Sequence, residues 1–224
     1  MNASRWFGDA RIRLYAGAAL ISLSPVWVKL VSVSPTTSGF YRVLIGGGAL
    51  AIYLVLGGKR LSLSRRVWSI LGLAAVFFAL DLWFWHRSIQ YVGPGLSTLL
   101  ANFQVFFMML AGAFLLGQAP SRSQLVAVPI ALLGLTLIVG IDPDKLTTDY
   151  RWGVTFGLLT AVSYSGYLLT LRASRSGSTY RLPTREVAVI SLATAAIHGV
   201  TAFLEGESLV LSNSSDVAWL FGYG

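Results

Sequence analysis

Cysteine is absent from the 224 residues, so no disulfide, thiolate metal ligand or thiol redox chemistry is open to this chain. Charge is scarce. Asp, Glu, Lys and Arg together make up 12%, about half of what a soluble domain carries. The two histidines, His86 and His198, are far apart and neither has an acidic cluster beside it. HExxH, P-loop and GxSxG patterns are missing, which leaves a membrane hydrolase with little support. No filter sequence or ring of charge suggests a channel. Apolar residues are what the chain has in quantity: 55% of the total, with a mean hydropathy of +0.69. This is the composition of an integral membrane protein with little soluble mass. The net charge of +8 does not point to nucleic acid, because the basic residues sit in short loops between apolar runs.

Apolar runs place spans near residues 13–33, 39–58, 67–87, 95–116, 123–141, 152–172 and 185–204, and an eighth begins near Val217. The start of the chain mimics a signal peptide, but its apolar run is long and no small-x-small cleavage site follows, so it reads as the first span. Turn chemistry separates spans at Ser34-Pro35, Ala119-Pro120 and Asp142-Pro143. Lys and Arg alternate with the spans. Arg5, Arg11 and Arg13, then Lys59, Arg60, Arg65 and Arg66, then Arg122, then Arg172, Arg175, Arg181 and Arg185 fall on one side. The intervening loops are poor in basic residues or acidic, which predicts a cytoplasmic N-terminus. Gly153, Gly157, Ala161 and Ser165 recur every four residues, as do Ser191, Ala195 and Gly199. Such stripes let membrane helices approach closely. Pro25 and Pro129 interrupt spans one and five.

Residues 77–118 form the organising stretch: two spans joined by a break within 88–95, with Asp81 inside the first and Asn102 and Gln104 inside the second. Polar groups at membrane depth are costly and usually face a partner or a cavity. At about 1.5 Å per residue, Lys29, Arg42, Asp81, Asn102 and His198 fall in one slab of the membrane. Lys29 and Arg42 can snorkel to the interface or meet Asp81 there. The expectation is that Asp81 pairs with one of them, as a structural pair or as a proton carrier. Trp83, Trp85 and Tyr91 fit either an interfacial belt or a pocket wall. His86 and Arg87 are expected at the outer edge in solvent, and His198 as a packed, hydrogen-bonded residue.

The segments SLSPVWVKLVSVSPTTSGFYR, ALDLWFWHRSIQYVGPGLSTLLANFQVFF and WGVTFGLLTAVSYSGYLLTLR resemble the EamA-like branch of the drug/metabolite transporter superfamily. The most specific part runs from Asp81 through Trp85, His86 and Ser88 to the Leu-Leu-Ala-Asn run ending at Asn102. The resemblance implies an all-α transmembrane bundle of ten helices in two inverted five-helix repeats. It also implies a central cavity, and transport of small metabolites, often export, without ATP hydrolysis. Residues 1–141 would be the first repeat and 149–224 an incomplete second one. Span one also resembles span six, and a five-span unit, being odd, would enter the membrane upside down on its second occurrence. Val105 stands where the family has Pro, and Gly117-Gln118 replaces its Gly-Glu. Against the ten helices that the resemblance implies, about two and a half helices of the second repeat would lie outside this sequence.

The resulting expectation is a carrier, working without a cofactor or metal, for a small polar or anionic metabolite. Lys29 and Arg42 would meet the anion, Asp81 would balance their charge or carry a coupling proton, and Asn102 and Tyr164 would line the pocket. The alternative is a non-transporting truncated carrier or accessory membrane protein.

Overall fold

The computed structural model describes residues 10–58, 63–139, 147–174, 183–211 and 213–224. Arg5, Lys59, Arg60, Arg175, Arg181 and the Asp142-Pro143 turn, used above, lie outside the described residues. Among the described residues the chain is helical and has no strand. The first expected span is α1 (Ala10–Ser22) followed by α2 (Ser24–Leu30), and the second is α3 (Pro35–Leu56). The third and fourth are α4 (Arg65–Ala101) continued by α5 (Gln104–Leu116). Then come α6 (Arg122–Val139), α7 (Thr148–Ser174), α8 (Pro183–Glu205) and α9 (Ser214–Tyr223). Helices α3, α7 and α8, and the apolar run Arg65–Leu115, are long enough to cross a bilayer. Their outward faces carry large apolar side chains such as Leu56, Phe114 and Phe203, which suits lipid and not water.

Helix α4 is a hairpin. In a straight helix Trp85 and Ser97 would stand about 18 Å apart, yet the Ser97 hydroxyl reaches the Trp85 carbonyl at 3.4 Å. The reversal is at Gly93, with φ 81° and ψ 166°, followed by Pro94. Only glycine takes that backbone without strain, and proline cannot continue the preceding ladder. The expected break within 88–95 is therefore present and narrow. Two further spans are interrupted. Span one breaks at Leu23, where Pro25 opens α2. Span four breaks at Asn102 and Phe103, between α4 and α5. Pro129 lies inside α6, which continues past it.

Small residues set the packing. The most extensive contact is between α4 and α7, followed by α3 with α8. A Cβ on Gly157 would fall 2.7 Å from the Leu100 side chain and 3.1 Å from the Ser88 hydroxyl oxygen. One on Gly166 would fall 2.6 Å from the Phe77 ring. The stripe Gly153, Gly157, Ala161 and Ser165 is buried against the α4 hairpin, as its spacing suggested. Ser88 adds a hydrogen bond to the Gly153 carbonyl at 2.8 Å. Likewise Gly47 of α3 leaves room for Ser191 and Leu192 of α8. The apolar core follows these seams. Leu71, Ala74 and Ala75 pack with Tyr167, Val189 and Ile190, and Val43 packs with Leu82 and Ala195. Val28, Trp85, Ile89 and Leu220 bring α2, α4 and α9 together.

Candidate functional site

Three of the five expected site residues lie within electrostatic reach of one another. Asp81 is 6% exposed on the buried face of α4. Arg42, half-buried on α3, is the basic residue whose charge acts on Asp81. Tyr164, half-buried on α7, feels both Asp81 and Arg42. A carboxyl, a guanidinium and a phenol, each from a different helix, thus lie near enough for their charges to act on one another. Leu82 and Trp85 fill the core beside them.

The expected ion pair is not formed. Among the described residues neither Lys29 nor Arg42 lies within 4.0 Å of Asp81; the ion pairs found are those of Arg87. For Arg42 the geometry gives the reason: its guanidinium stands over the Trp85 ring, 5.4 Å from the centroid, in a cation–π contact. For Lys29 the reason is helix rotation. Val28 is buried in the core, so the next residue, about 100° further round, is exposed. Asn102 is apart from the trio as well. It lies in a groove of about 410 Å³ with Ser22, Pro25, Pro94 and Thr98. That groove is bordered by the breaks in spans one and four and by the Gly93 reversal.

His86 and Arg87 are not in solvent. His86 is fully buried and its Nδ1 lies 2.7 Å from the Leu82 carbonyl. Arg87 binds Glu205 at 2.8 Å, contacts Glu207 at 3.9 Å and lies 3.7 Å over the Trp83 ring. Glu205 also accepts from the Trp83 indole at 2.9 Å and the Thr36 hydroxyl at 2.6 Å. This network ties α3, α4 and α8 together at one end of the bundle. The acidic partners lie far away in sequence, and the only local hint was the four-residue spacing of Trp83 and Arg87. His198 is also corrected. It is buried, but neither ring nitrogen has a hydrogen-bond partner. Trp85 is core, and Trp83 holds Arg87, so neither is merely a belt residue.

Outside the spans, Asp216 at the start of α9 receives the Ser32 hydroxyl at 2.6 Å and the Ser32 amide at 2.9 Å. These two hydrogen bonds, the hydroxyl's first, hold its carboxyl below the ordinary carboxylate range. The contact fastens the loop after α2 to α9. No group of three or more His, Asp or Glu able to hold a metal occurs among the described residues.

The EamA-like transporter family matches residues 12–140. The uncharacterized inner membrane transporter YhbE of Escherichia coli K12 is 27% identical over 220 residues, covering 93% of this chain and 67% of its own. The uncharacterized transporter YwfM of Bacillus subtilis strain 168 is 26% identical over 163 residues, 71% of this chain and 53% of its own. A solved crystal structure 22% identical to this chain superposes with a TM-score of 0.66, over 92% of this chain and 71% of that one, and shows the same fold.

Proposed function

The chain belongs to the EamA-like transporter family, and from that premise we propose that it is a secondary carrier that exports a small polar, anionic metabolite across the cell's inner membrane. The observation that carries this reading is the convergence of Arg42, Asp81 and Tyr164 from three helices within an apolar bundle. Charge at that depth is costly and marks substrate or ion pathways. Arg42 meets the anionic group of the substrate. Tyr164 offers a hydroxyl beside it. Asp81, which makes no ion pair with Lys29 or Arg42, is the group available to take a coupling proton. Asn102 lines the neighbouring groove, at helix breaks of the kind that build carrier sites. Lys29 is exposed, and as a cation it would help draw anions toward the protein.

The packing supports two inverted repeats, residues 1–141 and 149–224. The second span of one (α3) packs on the second of the other (α8). The first span (α2) meets α9 as α7 meets the hairpin α4. A two-fold axis in the membrane plane would exchange these pairs.

A thermal-shift panel of small carboxylates and phosphates on the purified protein tests the reading. At least one anion should raise the melting temperature of wild type and leave folded Arg42→Gln unchanged. A panel with no responder, or one that shifts Arg42→Gln equally, would overturn it.

A further inference from the structure

Helices α3 and α8 run antiparallel along one seam: Thr36 meets Glu205, Gly39 meets His198 and Gly47 meets Ser191. The seam changes character along its length. Deep in the bundle it is close and mostly apolar, with Gly47 against Ser191 and Leu192, and Val43 beside Ala195. At the Glu205 end it is held by polar bonds. Besides the Arg87 and Glu205 network, the Thr37 hydroxyl donates to the Ser208 carbonyl at 3.1 Å and the Tyr41 hydroxyl to the Leu209 carbonyl at 2.7 Å. Such bonds exchange for water at small net cost, whereas exposing apolar surface is unfavourable throughout.

Inside this polar cover is a shut layer made by Ser38 and Gly39 of α3, His86 of α4 and His198 of α8. A Cβ on Gly39 would fall 3.4 Å from His198 Cε1 and 3.6 Å from His86 Cε1, so three helices meet there. His198 lies about 10 Å along α8 from Glu205. Arg42 is one helical turn beyond Gly39, and Asp81 is more than a turn before His86. Ser38, His86 and His198 are at most 2% exposed. The closure leaves polar atoms stranded. The Ser38 hydroxyl and both ring nitrogens of His198 are buried with no hydrogen-bond partner. Each has given up its bonds to water and gained none in return. Apolar side chains of similar size would fill the space without that penalty. Two facing helices thus carry unsatisfied groups beneath a cover that water can replace. Water entering the layer would satisfy Ser38 and His198 while the Arg87, Glu205 and Thr36 bonds are lost, and such a balance suits an element with two arrangements.

We propose that the Glu205 end of the α3–α8 seam is a gate, shut in this structure, which opens by parting α3 from α8 so that water reaches Ser38 and His198. This deepens the carrier reading, since a carrier opens its site to one side at a time.

The test is thiol labelling of the full chain in nanodiscs, which the absence of native cysteine makes specific. Ser38→Cys should react slowly with a charged methanethiosulfonate, a reagent that stays out of lipid. Adding Arg87→Ala, which cuts the cover, should speed that reaction about ten-fold. Adding His198→Leu, which removes the unsatisfied ring, should slow it about ten-fold. Leu71→Cys, in the apolar core of α4, α7 and α8, should stay unreactive with or without Arg87→Ala. If Arg87→Ala does not fold, Thr36→Val takes the hydroxyl away from Glu205 and should act in the same direction. If His198→Leu does not fold, the cover variants decide the matter by themselves. A Ser38→Cys rate that ignores both cover variants would overturn the proposal, as would a His198→Leu rate no lower than its parent's. An equal rise at Leu71→Cys would overturn it too, because the whole bundle would then be loosening. Labelling needs no transported anion, so its failure leaves the Arg42 reading standing, and an anion panel without a responder leaves the gate standing.

Discussion

Gly157 marks the point where the α7 stripe touches both arms of the α4 hairpin, since its missing Cβ leaves room for Leu100 and Ser88. Gly157→Ala should lower stability by about 1–3 kcal/mol through overpacking. Gly48→Ala, with no atom within 4 Å of the added carbon, should be neutral or slightly stabilising. Thermal melting of the two variants in detergent checks the pair, and equal melting would place the stripe against lipid. Gly93 fails differently under substitution. Space is open there, but φ is 81°, so Gly93→Ala should cost about 1–3 kcal/mol in backbone strain alone. Gly95→Ala, equally open but helical, should melt close to wild type. Individual site residues were partly legible in the sequence. Asp81 and Arg42 stood out because charge within apolar runs has few reasons to be there, and both face inward. Lys29 looked equivalent, yet one step of helix rotation past buried Val28 turns it outward. Sequence also could not show that Arg42 would stack on Trp85 in place of pairing with Asp81, because that choice is tertiary.

Among the elements, the α4 hairpin was readable from two apolar runs and a Gly-Pro break, and its arms are held together by α7. The ties between helix ends were not readable, because their partners are distant in sequence. Arg87 is one such tie. Arg87→Ala removes the Glu205 pair and the contact with Trp83, and should cost about 1–2 kcal/mol, given partial exposure. Arg87→Lys keeps the charge but not the flat guanidinium, and should melt between the two. Equal melting of all three proteins would mean the network adds nothing. The Ser32–Asp216 contact is the other tie. Because the folded carboxyl titrates below its unfolded value, its contribution is full above the unfolded value of about 3.9 and fades as pH falls through the lowered one. Proteolysis near α9 should therefore rise on acidification from pH 5 to 3 in wild type. Asp216→Asn should show no such rise in that pH range, and an identical acid response in both would locate the sensitivity elsewhere.

For the whole molecule, the alternation of basic and acidic loops predicts a cytoplasmic N-terminus. A cysteine at Thr148 should react with an impermeant thiol reagent from outside intact cells and one at Ser62 should not, which the cysteine-free background makes clean. The reverse pattern would invert the topology. The membrane class and the spans were plain in composition, because a bilayer allows few solutions for a chain this apolar. The breaks at Leu23 and Asn102, which border the groove, had only Pro25 as a visible sign in the sequence. Counterflow in proteoliposomes tests the carrier reading most directly. Vesicles would be loaded with the anion that shifts the melting temperature and assayed across a pH series. Wild type should exchange labelled anion in a pH-dependent way, folded Arg42→Gln should not exchange it, and Asp81→Asn should lose the pH dependence. Exchange no faster than in protein-free vesicles, or unchanged in Arg42→Gln and Asp81→Asn at every pH, would contradict the assignment.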